Sequence, residues 1–186
     1  MTGVCRGIGA SALLCLGLAG PAAGAPRLAA GPGFSISYDD TIWAERPAVP
    51  PAALVLACIA PGCGDAAAAL VLDPRPTLSP GAGAFTPGAM APAGIDLAMQ
   101  ALTPGARVLA ETPARPAASG EASGYCGRYT IEDAALARRD LVACLARLDG
   151  RTLHLRLTAA RLGEEQVRAF DALRATLRPT PGPPAR

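Results

Sequence analysis

The chain has 186 residues, 51% of them hydrophobic but only 4% aromatic, and a formal net charge of +2. That is enough for a single domain, and it carries no basic excess of the kind that holds nucleic acid or an anionic membrane surface. Lysine is absent and all 17 cations are arginine; a GC-rich genome favours such a composition, and its alanine and glycine overstate the true apolar core.

The N-terminal stretch is read as processing sequence rather than fold. Arg6, the apolar run 8–19 and the small residues Ala22, Ala23, Gly24 and Ala25 have the pattern of an export signal over residues 1–24, cut between residues 23 and 26. A run of about 12 apolar residues is too short to span a bilayer. Leu14 is too large to precede a lipidated Cys15. What remains is expected to be one domain over 25–178, with no membrane span, followed by a disordered Pro-rich tail over 179–186.

Phe34, Ile36 and Tyr38 alternate with serines, which predicts a half-buried strand. Asp39-Asp40 then reads as a solvated turn ahead of Trp43, not as an acid pair. Ala52–Ala60 is a short apolar run bounded by prolines, and Pro61-Gly62 turns it back onto Ala66–Leu72 as a hairpin. Residues 73–92 read as a Pro- and Gly-rich loop, and Ile95, Met99 and Leu102 space a helix over 92–102. A strand over Arg107–Glu111 is followed by 113–124, which lacks periodicity and reads as a flexible connection. Tyr125–Ile131 returns to strand, with Tyr125, Tyr129 and Ile131 on one face and Cys126, Arg128 and Thr130 on the other.

The best-patterned stretch is Arg139–Arg178. Leu141–Leu145 is apolar without alternation, as in a strand covered on both faces. Asp149-Gly150 is a strong two-residue hairpin signal. Leu153, Leu155 and Leu157 alternate with His154, Arg156 and Thr158, and Val167, Phe170, Leu173 and Leu177 form one helical stripe. Glu164 and Glu165 favour the start of that helix and Pro179 stops it.

Phe34–Tyr38 followed by Trp43 resembles the opening strand of the Mog1/PsbP-like fold. Asp149–Leu155 together with Phe170–Arg178 resembles its final strand and helix. The resemblance implies an α+β domain: an antiparallel β-sheet flanked by helices, an α/β/α sandwich. It also implies a binding or assembly module rather than an enzyme. It carries over no functional residue, and the cysteines outside the leader lie outside its general pattern, as in a separate exported branch.

Those cysteines are Cys58, Cys63, Cys126 and Cys144, an even number suited to disulfides in an oxidising compartment. Three connectivities exist. The pairing 58–63 with 126–144 is favoured, because the first pair brackets a turn and the second is centred on a hairpin near residue 135. A zinc site lacks a second ligand pair beside 126–144. No redox C-x-x-C, haem attachment, phosphate loop or dinucleotide fingerprint is present, so neither a metal nor a cofactor is expected.

His154 is the one histidine, and neither Ser119 nor Ser123, the serines a triad with it would need, sits in a nucleophile elbow. No catalytic residue is assigned. The expectation is a non-catalytic module, periplasmic or extracellular, that binds an envelope protein or a small apolar or acidic ligand; the alternative is a small envelope hydrolase with an unrecognised site. Arg128, His154 and Arg156 share the outward phase of their strands and are the candidate ligand-binding residues. An apolar pocket with convergent polar groups favours the first class, and strongly shifted carboxylates in a cleft favour the second.

Overall fold

A computed structural model describes residues 24–72 and 106–180; the leader, the expected 73–92 loop and 92–102 helix, and residues 181–186 lie outside the described residues. The elements are β1 (Pro26–Gly31), β2 (Phe34–Asp39), β3 (Trp43–Arg46), β4 (Leu54–Cys58), β5 (Ala67–Leu72), β6 (Arg107–Pro116), β7 (Ser123–Glu132), β8 (Arg138–Leu148), β9 (Arg151–Ala159), α1 (Glu164–Arg174) and β10 (Arg178–Pro179). They form a seven-stranded antiparallel sheet in the order β3-β4-β5-β9-β8-β7-β6 and a three-stranded one in the order β1-β2-β10.

Local chemistry sets the hairpins. Asp149 and Gly150 take φ values of 46° and 73°, the left-handed pair that a primed two-residue turn requires, and Leu148 pairs with Arg151 across it. The β7–β8 hairpin keeps one register from Ser123↔Arg147 to Glu132↔Arg138. At its turn the Asp133 carboxylate accepts the amides of Ala135 and Ala137, both at 2.9 Å. Those bonds, Ala137's first, hold the Asp133 carboxyl below its ordinary range.

The core lies on one face of the large sheet. Leu54, Leu56, Leu70, Val142, Cys144, Leu153, Leu155 and Leu157 form a single buried cluster with Phe34 and Ile36 of the small sheet and with Val167, Phe170, Leu173 and Leu177 of and after α1. The opposite face has its own buried cluster of Tyr125, Tyr129, Ile131, Leu141, Ala143 and Leu145. β8 is therefore buried on both faces, as its unbroken apolar run predicts. Among the described residues one helix flanks the sheet, on one face.

Two sequence expectations are corrected. The stretch 113–124 is not a loose connection: β6 continues to Pro116, and Ser119 bridges Ala122 and is 1% exposed. Arg174, itself buried, fastens this turn to α1 by donating from Nη1 to the Ala118 carbonyl and Ser119 Oγ, each at 2.9 Å, while Nη2 meets Asp171 at 2.7 Å. The tail does not begin at Pro179, because Arg178 and Pro179 pair with Ser35 and Phe34 as β10. β1 and β3 were not foreseen as strands; β1 buries only Ala29 and so lacks the alternation that marks a strand.

Candidate functional site

Strand register decides where the candidate residues stand. Arg128 lies opposite Val142, and Val142 opposite Leu157, so Arg128 shares the face on which α1 packs. His154 lies opposite Leu145, which lies opposite Tyr125, and Arg156 lies opposite Ala143. Those two belong to the second face. The basic patch of Arg128, His154 and Arg156 is thus divided by the sheet. The outward phase does not exist as one surface, because β8 is buried on both faces and its neighbours β7 and β9 carry these residues on opposite sides of the sheet. His154 and Arg156 are half-buried rather than solvated, and burial pushes the Arg156 guanidinium below its ordinary pKa.

The disulfides join Cys58 to Cys63 and Cys126 to Cys144, with Cα atoms 5.6 and 4.1 Å apart. Cys126 and Cys144 are direct register partners. The 58–63 loop abuts the start of α1, where Gln166 Nε2 donates to the Gly62 carbonyl at 2.7 Å and Gln166 Oε1 accepts the Gly163 amide at 2.8 Å.

α1 does not reach across the whole sheet. Beside its first turn a cleft of about 240 Å³ opens over β7 and β6, lined among others by Ala110, Glu111, Thr112, Arg128, Thr130, Asp140, Val142, Leu162 and Val167. Asp140 is committed: Thr130 Oγ1 donates to one carboxylate oxygen at 3.2 Å and the Leu162 amide to the other at 3.1 Å. Arg128 is exposed and forms no hydrogen bond or ion pair with another described residue. The cleft therefore offers a guanidinium without a partner among the described residues, the Thr112 hydroxyl and an apolar wall, with the Glu111 and Asp140 carboxylates beside them; the guanidinium and the apolar wall suit a carboxylate carried on an apolar group. Sequence reading named Arg128 but missed the rest, since the cleft exists only where the helix ends short of the sheet edge.

The remaining chemistry is dispersed. Ser119 Oγ is held by Arg174 on the α1 side, the face opposite His154. Among the described residues no group of three or more His, Cys, Asp or Glu side chains is placed to hold a metal, and no helix is long and apolar enough to cross a membrane.

Neither a protein-family model nor a curated protein matches the chain. Solved structures do. The solution structure of cyanobacterial PsbP (CyanoP) from Synechocystis sp. PCC 6803 superimposes with a TM-score of 0.52 at 14% identity, covering 90% of this chain and 99% of that one. The fold is Mog1/PsbP-like. LpqN of Mycobacterium tuberculosis, a protein involved in cell envelope biogenesis, gives 0.49 at 15% identity over 84% of this chain and 90% of its own. A Bacteroides thetaiotaomicron VPI-5482 protein gives 0.48 at 11% identity, and the chain spans about half of its length (49%), with 85% of this chain covered. At these identities the PsbP-like likeness concerns backbone architecture and transfers no site.

Proposed function

We propose that the protein is an exported, non-catalytic binding module whose cleft between α1 and the β6–β7 edge receives a carboxylate, from a small acidic ligand or an acidic side chain of an envelope protein. The observation that carries this reading is Arg128, an arginine standing in an open, partly apolar cleft without an ion partner among the described residues. Export is supported by the leader pattern and by the two disulfides, which persist in oxidising compartments.

Titration with straight-chain carboxylates from acetate to hexanoate, followed by amide NMR, tests the site. Shifts are expected to cluster at Ala110, Arg128, Thr130 and Val167 and to strengthen with chain length. Arg128→Gln removes a charge-assisted hydrogen bond and is expected to weaken binding about tenfold or more. Its stability should stay within about 0.5 kcal/mol of the parent, because Arg128 is exposed. Shifts that persist in Arg128→Gln, or that map to the second face, defeat the reading.

A further inference from the structure

The start of the folded chain sits against two carboxylates. A Cβ added at Gly24 would overlap Asp39 Oδ1 and would lie 2.9 Å from Asp40 Oδ1 and 2.7 Å from Thr41 Cγ2. The Gly24 backbone is thus packed into the Asp39–Thr41 turn, beside the Asp39 carboxylate. Pro26, two residues on, is the direct register partner of Asp39. The two acids differ in their charge balance. Asp40 Oδ2 meets Arg27 Nε at 3.0 Å, whereas Asp39 receives neutral donors, the Thr41 amide at 2.8 Å and hydroxyl at 2.6 Å. Around this point Gly24, Pro26, Tyr38 and Asp39 also line a crevice against Ala169, Leu173 and Thr176 of and after α1, and the α1 residues lining it carry no charge.

We propose that Asp39 is a receptor for the chain's own N-terminal ammonium, which processing of the leader creates. This rests on the export reading above. A cut after residue 23 frees an amine at Gly24 itself, beside the one carboxylate of the pair that lacks a cation among the described residues, and a cut one or two residues later frees it at the start of β1, whose Pro26 is the register partner of Asp39. Before processing, the same position holds a neutral amide. The ion pair distinguishes the mature chain from its precursor and fastens β1, which otherwise buries only Ala29. The charged and titratable groups facing it are Asp39, Asp40, Arg27 and Tyr38. An amine raised by a neighbouring carboxylate adds stability below its unfolded pKa, and that stability is lost as pH rises through the folded value.

The absence of lysine makes this amine the only one in the molecule, so it can be labelled alone. The full chain is expressed with its leader in an exporting bacterial host, collected from the envelope fraction, N-terminally sequenced, reductively methylated with ¹³C-formaldehyde and a borohydride reductant to the tertiary amine, and titrated by NMR. The expected amine pKa is about one unit above the ordinary value near 7.7 in the folded protein and ordinary in urea. Asp39→Asn should abolish the shift, and Asp40→Asn, whose charge Arg27 already meets, should move it less. An amine that titrates alike folded, in urea and in Asp39→Asn overturns the receptor. A mature protein that begins outside Gly24–Pro26 overturns the processing reading instead, and a chain released at Gly24 from a cleavable fusion then decides the receptor by the same titration.

Discussion

Phe170→Ala is expected to destabilise the protein by about 3–5 kcal/mol, the range for deleting a fully buried aromatic ring. Phe170 is 0% exposed at the centre of the α1 stripe, in the cluster that unites α1 with both sheets. Its ring also lies 5.8 Å from the Arg174 guanidinium, so truncation removes a cation–π neighbour as well as packing. The loss therefore falls on the seam where the small sheet, the helix and the large sheet meet. Leu136→Ala serves as the control: Leu136 is 78% exposed in the β7–β8 turn, and its loss should change stability by less than about 0.5 kcal/mol. Urea unfolding of the two variants makes the comparison. A loss below about 1.5 kcal/mol for Phe170→Ala would mean that the ring does not anchor the core.

Much of this architecture was legible because it rests on period and turn chemistry. Leu153, Leu155 and Leu157 declare β9, Asp149-Gly150 declares its hairpin, and Val167, Phe170 and Leu173 declare the helix face. β6 was legible only to Glu111, because register shifts between Val108 and Ala110 and between Thr112 and Arg115 interrupt its alternation. The site was harder. His154, Arg156 and Thr158 look like the wet side of β9, yet they share their face with Tyr125, Tyr129, Leu141 and Leu145. Long polar side chains can bury their stems while their heads find partners, so a polar phase need not be a solvent phase. Whether Arg128 shares a face with His154 depends on pairing across three strands, and no local pattern holds that information. The cleft depends in turn on where α1 stops over the sheet, a property of packing.

The two disulfides are expected to contribute unequally, with Cys126–Cys144 worth about 1 kcal/mol more than Cys58–Cys63. In the chain-entropy account a bridge restricts the unfolded chain, and its effect grows with the logarithm of the loop it closes. The loops here span 18 and 5 residues, and (3/2)RT ln(18/5) is about 1 kcal/mol. Position acts in the same direction. Cys126 and Cys144 are register partners in the β7–β8 ladder, so their bond fixes which side chains of β8 face α1. A one-residue slip would exchange Val142 and Ala146 for Leu141 and Leu145 on that face and strand Tyr125 and Tyr129 without their partners. Cys58–Cys63 instead closes a turn in which Gly62 already adopts φ 86° and the Cys63 amide bonds to the Ala60 carbonyl. That loop is also tied to α1 through Gln166 and the Gly62 carbonyl, so part of its order survives loss of the bond. Urea unfolding of two paired-alanine variants, one lacking each bridge, gives the comparison, with peptide mapping to verify the bond that remains. An equal loss in the two variants, or a larger one without Cys58–Cys63, would show that register in the β7–β8 hairpin is held by its side chains and not by the bridge.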